Sequence, residues 1–186
     1  TRLAPLTNHL PKPLLPVGDR PLIYYNLLLL KRYGITDVTI NLHYQGKKII
    51  KALGNGAAIG MKITYSEESK ILGTGGGIKK MEDFFGSGAF LVINGDILVD
   101  LDLDKLVSFH HKKNGIATLV LQPNTDLTQY GLIEINASDH VQNILSKLPP
   151  KKGRTQKRMF TGIHVIEPKG LNYVPPGTFY SITDAY

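Results

Sequence analysis

Helix-patterned and strand-patterned stretches alternate through most of this chain, and that alternation limits its possible folds more than any other feature. Pro21 to Tyr33 repeats apolar residues at helical spacing, with a proline suited to a first turn and Gly34 suited to the position past the end. Asp37 to Leu42 alternates in character and is rich in β-branched side chains, so it reads as a strand. Gln45 to Leu53 follows as a short amphipathic helix, and Met61 to Tyr65 as another strand. Ile71 to Gly77 reads as a glycine-rich loop and Ile78 to Phe85 as a short helix. Phe90 to Ile93 is a continuous apolar run, as expected of a strand buried on both faces. Leu103 to Lys113 is helical, with Asp102 as N-cap and Gly115 past its end. Ala117 to Leu121 is again a strand. Strands separated by helices imply a layered α/β fold with a mostly parallel, mixed sheet. Tyr130–Ile135, Val141–Leu145 and Phe160–Ile166 come without helices between them, which implies an antiparallel extension.

The chain of 186 residues suits one domain. It contains no cysteine, which excludes disulfides and thiolate metal sites. The apolar cluster at Leu22 to Leu30 is interrupted by Tyr24, Tyr25 and Asn26, too short and too polar to span a bilayer. The expectation is a soluble, cytoplasmic protein without a membrane partner. The net charge of +7 suits phosphorylated ligands, anionic membranes or nucleic acid. Its one cluster, Lys147, Lys151, Lys152, Arg154, Lys157 and Arg158, holds no aromatic ring on which bases could stack. It reads as an exposed loop, and no nucleic-acid partner is expected. Thr1 opens inside a proline-rich, loop-like stretch, and Tyr186 follows an apparent helix start. Residues 1–186 are therefore expected to be a single domain cut at both ends.

Three segments carry candidate chemistry. In the first, Lys12 stands between Pro11 and Pro13, each of which restricts the backbone, so the lysine is held on a stiff, extended segment. Arg2 adds a second cation on the same loop, and no carboxylate is near in sequence. Two placed cations suit a polyphosphate, and a solvated proline-rich loop is the plainer reading. In the second, Leu72-Gly73-Thr74-Gly75-Gly76-Gly77, glycines let a ligand approach the backbone and the next helix offers its N-terminus. The run fits neither the P-loop nor the dinucleotide fingerprint, and a plain turn stands as the alternative. In the third, a buried strand ends in Asn94-Gly95-Asp96, where open α/β sheets place ligands. Asp96 can hold a hard cation such as Mg²⁺ or cap a turn. Asp100, Asp102 and Asp104 alternate like a calcium loop but lack its glycine and terminal glutamate, so capping and solvation explain them. The histidines show no ligand spacing and none is assigned to catalysis; His110-His111 lies late in a helix, where positive charge is favoured.

Together these segments resemble the sugar-1-phosphate nucleotidylyltransferases, or NDP-sugar pyrophosphorylases. The likeness rests on Thr1-Arg2 with Pro5-Leu6-Thr7, Pro11-Lys12-Pro13, the Leu-Gly-Thr-Gly-Gly segment, Gly95-Asp96, Tyr130-Gly131 and Phe160-Thr161-Gly162, and covers essentially the whole chain. It looks most like the bacterial enzymes for mannose, heptose or N-acetylmuramic acid 1-phosphates, which favours guanylyl or uridylyl transfer. The resemblance implies a Rossmann-like fold of the nucleotide-diphospho-sugar transferase type. It implies that Arg2, Lys12 and Asp96 are catalytic, with Asp96 a Mg²⁺ ligand. Thr1, Glu68, Gly73 and Thr74 would bind the nucleotide, and Gly131, Thr161 and Gly162 the sugar. The partners implied are an NTP and a sugar 1-phosphate; oligomeric state is not legible. Relatives often carry Glu-Lys-Pro where this chain has Ser146-Lys147-Leu148, and the second metal-binding aspartate would lie beyond Tyr186.

The implied reaction is in-line attack by the sugar phosphate on the α-phosphorus of the NTP. A phosphate monoester is largely dianionic at neutral pH, with a second pKa of about 6, so no general base is needed. Two other readings compete. A nucleotide-sugar-dependent glycosyltransferase would want Asp-x-Asp after the buried strand, where this chain has Asn94-Gly95-Asp96. A non-catalytic nucleotide-sugar sensor would not need both Arg2 and Lys12.

Overall fold

The computed structural model describes residues 6–123, 132–145, 147–149 and 153–186. A small hairpin of β1 (Pro16–Val17) and β2 (Arg20–Pro21) leads into α1 (Leu22–Arg32). Then come β3 (Asp37–Leu42), α2 (Gly46–Leu53), β4 (Lys62–Glu67), α3 (Gly73–Lys80), α4 (Glu82–Phe85), β5 (Phe90–Ile93) and α5 (Leu103–Lys113). The chain continues through β6 (Ala117–Gln122), β7 (Leu132–Ile135), β8 (Val141–Ile144), β9 (Gln156–Ile166) and α6 (Ile182–Ala185).

The layered α/β class and the mixed sheet are as expected. Among the described residues parallel pairing is confined to β3 and β4, with Asp37 opposite Lys62. The other described ladders are antiparallel, a larger share than the alternation suggested. The cause is β9, which runs longer than its apolar stretch implied. Its C-terminal half pairs with β5 and β6 at once, and Met159 pairs with both Gln122 and Leu132. Hence β6 holds one edge of β9, while β5 and then β7 share the other. Lys157 and Arg158 of the basic cluster lie in this strand rather than in a loop, and Lys151 and Lys152 fall outside the described residues.

Helix α1 links the two halves. Its Ile23 and Leu27 pack with Leu42, Ile49 and Ile63 of the β3–α2–β4 layer, whereas Leu29 packs with Leu103, Leu106, Ile163 and Val165. Asp102 caps α5 as expected, its side chain accepting from the Lys105 amide at 3.0 Å. Asn114, in the left-handed region at φ 49, closes the helix one residue before the expected Gly115. His110 is not a solvated end residue. It is 1% exposed, with Nδ1 2.8 Å from Thr118 Oγ1 and Nε2 3.1 Å from Glu167 Oε1, and so ties α5 to the sheet.

The glycine run departs most from expectation: Gly73 to Lys80 is helical, not a loop. Glycine is a poor helix former, so tertiary packing must compensate. The segment Thr178–Ile182 lies directly on the run. The Tyr180 carbonyl accepts from the Gly75 and Gly76 amides at 2.9 and 3.2 Å, and Thr74 Oγ1 accepts from the Ile182 amide at 3.0 Å. The N-terminal N–H groups expected to await a ligand are thus taken at Gly75 and Gly76 by the chain itself. A Cβ at Gly76 would lie 2.5 Å from the Thr178 carbonyl oxygen. Gly76→Ala should therefore cost about 1–3 kcal/mol through overpacking. Thermal unfolding checks this; an unchanged midpoint would mean that Thr178–Ile182 does not sit against the helix in solution.

Candidate active site

Lys12 opens a short 3-10 turn, Lys12–Leu14, rather than standing on an extended segment. The Leu14 amide donates to the Pro11 carbonyl at 2.8 Å, and Leu15 to Lys12 at 3.1 Å. Leu14 is buried in the core below, and Leu22 at the start of α1 donates back to Leu15 at 2.9 Å. The lysine backbone is therefore fixed from both sides. Hydrogen bonds and the buried Leu14 hold it, in a turned rather than an extended geometry.

Asp96 arrives from the other half. Strand β5 ends at Ile93, and Asn94 continues the ladder by donating to the Gly162 carbonyl at 3.1 Å. Gly95 then lies on Pro13 and Ile23, close enough that an added Cβ would touch both at 3.6–3.9 Å. This brings Asp96 Oδ2 to 2.6 Å from Lys12 Nζ. The carboxylate partner that Lys12 lacked in sequence is thus supplied 84 residues away. Their side chains are 45% and 36% exposed, so the pair adds little to stability and both groups remain open to a ligand.

Lys12, Asp96, Thr74, Thr161 and Gly162 border one cleft of about 730 Å³. Thr161 donates its hydroxyl to the Val120 carbonyl at 2.8 Å, which ties it to β6. Gly162 has φ +82, and a Cβ there would collide with the Asn94 amide. Glu68 and Gly73 do not join them. Glu68 is 8% exposed, and its two carboxylate oxygens accept from Asn41 Nδ2 at 2.8 Å and the Leu72 amide at 2.9 Å. It pins the turn before α3 from inside. Gly73 has φ +71, and a Cβ would approach the Tyr180 carbonyl to 2.7 Å, so a side chain there strains the fold before any ligand binds. Thr1, Arg2 and Gly131 lie outside the described residues.

Among the described residues no cluster of three or more Asp, Glu, His or Cys forms a metal cage. A lone exposed carboxylate still fits Mg²⁺, which commonly takes one or two carboxylates and completes its octahedron with water and substrate phosphate. It does not fit zinc or calcium, which want fuller protein ligand sets.

A family model described as nucleotidyl transferase matches residues 1–176. The chain belongs to that family. It is 30% identical over 195 residues to a UTP–glucose-1-phosphate uridylyltransferase of Synechocystis, covering 98% of this chain and 50% of the relative. It is 32% identical over 184 residues to a mannose-1-phosphate guanylyltransferase of Mycobacterium tuberculosis, with coverage of 98% and 50%. A crystal structure from Bacillus anthracis, of a protein assigned as a glucose-1-phosphate thymidylyltransferase, superposes with a TM-score of 0.83 at 29% identity, covering 99% of this chain and 76% of that one. The chain thus spans about half the length of the curated relatives it matches. Among the described residues no helix is long and apolar enough to cross a membrane.

Sequence reasoning assigns no role to Asn26, a polar residue inside an apolar helix, or to His164, since the histidines show no ligand spacing. His164 borders the cleft and is 2% exposed, with Nδ1 2.5 Å from the Tyr186 hydroxyl and its ring against Phe160. Burial lowers its pKa from 6.5 to about 3. Burial likewise raises the Tyr186 phenol above its usual range. Because the folded His164 refuses a proton that the unfolded chain accepts below 6.5, its contribution is full above that pH and shrinks as pH falls toward 3. A pH series of denaturant unfolding should show stability declining from about pH 6.5 downward, with a flatter decline in His164→Phe. Parallel curves for the two proteins would place the acid sensitivity elsewhere.

Proposed function

We propose that this chain carries the catalytic chemistry of a sugar-1-phosphate nucleotidylyltransferase, transferring a nucleotidyl group from an NTP to a sugar 1-phosphate with release of pyrophosphate. The observation that carries the reading is the Lys12–Asp96 pair at 2.6 Å, open to solvent at the mouth of a cleft bordered by Thr161 and Gly162. A phosphate oxygen of the sugar phosphate forms a bond to the α-phosphorus of the NTP. The bond from that phosphorus to the β-bridging oxygen breaks, and pyrophosphate departs in line with its electron pair. The nucleophile is already anionic near neutrality, its second pKa being about 6, so no residue need remove a proton. Lys12 offsets the charge that gathers on the phosphates, and Arg2 does so by the resemblance. Asp96 would hold Mg²⁺, which when bound supplies charge neutralisation on the polyphosphate. Thr161 and Gly162, with Gly131 by the resemblance, would face the sugar. Thr74, with Thr1, Glu68 and Gly73 by the resemblance, would face the nucleotide. Relatives named for uridylyl and guanylyl transfer support one of these two transfers here.

Pyrophosphate release, screened with four NTPs against a panel of sugar 1-phosphates, tests the reaction. In the intact protein Lys12→Ala should lower turnover roughly 10²-fold or more, by removing a placed charge. Its melting point should barely change, because the lost pair is exposed. Asp96→Asn should raise the magnesium concentration needed for half-maximal rate. Near-normal turnover in the lysine variant, with superimposable magnesium curves in the aspartate variant, would overturn the assignment.

We infer as well that the cleft behind this pair receives a further β-strand. Among the described residues β3 pairs only with β4 and β5 only with β9, and Val38–Asn41 and Leu91–Asn94 face the same cleft. Asn26 Oδ1 is buried there without a partner, a costly state that a backbone N–H from such a strand would relieve. In the intact protein the amides of Val38–Asn41 and Leu91–Asn94 should then be protected from hydrogen exchange as paired strand amides are. Rapid exchange at those amides would refute the inference.

A further inference from the structure

Asn26 is 4% exposed, on the face of α1 that turns toward the cleft. Its Nδ2 donates to the Asn94 carbonyl at 3.2 Å and to the Ile97 carbonyl at 3.0 Å. These two acceptors bracket Gly95 and Asp96. They also fix which way the amide faces, because turning it over would set Oδ1 against two carbonyl oxygens. Among the described residues the remaining Oδ1 is buried and has no partner. A leucine would fill the same position with no polar group to satisfy, as its neighbours Leu27, Leu28, Leu29 and Leu30 do on this helix. The feature an apolar residue cannot supply is the pair of N–H donors.

We propose that Asn26 is a positioning residue that holds the Asn94–Ile97 turn so that the Asp96 carboxylate stands beside Lys12. This rests on the reading that Asp96 holds a divalent cation. The same helix seats both halves of the site: Leu22 anchors the Lys12 turn through Leu15, Ile23 supports Gly95, and Asn26 clasps the carbonyls on either side of Asp96. One rigid element therefore sets the spacing between cation and carboxylate. Supporting groups of this kind commonly change metal affinity or activity by roughly 10–100-fold when removed.

The test uses the intact protein and three variants, Asn26→Leu, Asn26→Asp and Asp96→Asn. Mn²⁺ binding in the presence of NTP is measured by electron paramagnetic resonance, and hydrogen exchange is followed across Asn94–Ile97. Asp96→Asn should lose most Mn²⁺ binding. Asn26→Leu should weaken it roughly tenfold and speed exchange across the turn. Asn26→Asp, which keeps the shape but puts an oxygen where the donor was, should do the same and decides the matter if the leucine variant fails to fold. In the enzyme assay the magnesium requirement should rise more than the KM for NTP, whereas general damage to the fold would move both. Asn26→Gln, which keeps the donor, should recover part of the loss. Wild-type Mn²⁺ affinity in both the leucine and aspartate variants, while Asp96→Asn has lost it, would overturn the role of Asn26 alone. Wild-type affinity in Asp96→Asn would instead remove the metal reading itself, and the positioning role with it.

Discussion

Strand β9 is hydrogen-bonded along both edges, and its Ile163, Val165 and Ile166 are at most 3% exposed. Slipping its register by one residue would turn the side chains that face one layer toward the other. That constraint propagates outward. The pairing of Ile93 with Ile163 determines where β5 ends, and the bond from Asn94 to Gly162 determines how the chain leaves it. Because β5 and β7 share one edge in succession, the sheet forks beside Phe160–Gly162, and the cleft opens at the fork.

Against this frame α1 serves as a spacer. It is buried on two sides, by the β3–α2–β4 layer and by the α5–β9 layer, so it cannot shift toward one without opening a void at the other. The Lys12 turn is attached to its first residue and the Asp96 turn rests against its next two turns. Two solvent-exposed functional groups thus inherit the precision of a packed core, although neither contributes to it.

Much of the fold could be read from pattern. The α5 helix, its Asp102 cap and the parallel β3–β4 strands follow from periodicity and local capping, which depend on neighbours in sequence. The pairing of Lys12 with Asp96 could be suspected only through family likeness, since 84 residues separate them. The glycine run reads as a loop in sequence because its purpose is tertiary. Four glycines suggest a loop until Thr178–Ile182 is laid across them, and then the missing side chains become the condition for a helix. Glu68 is a similar case: only the family resemblance points to it as a nucleotide contact, and its oxygens accept from Asn41 and Leu72. Asn26 and His164 carried no motif, and only burial beside the cleft marks them.

The contact between Lys12 and Asp96 also has a consequence for selectivity. At rest each group is the other's counterion. A free polyphosphate approaching Lys12 must compete with the carboxylate, and a free divalent cation approaching Asp96 must compete with the ammonium. Either ion alone would strand one charge as it binds. A metal–polyphosphate complex strands neither, because the two old partners separate as two new ones form. In the proposed reaction the ion pair would then act as a coincidence filter, favouring the chelate over its separate components before any chemistry begins.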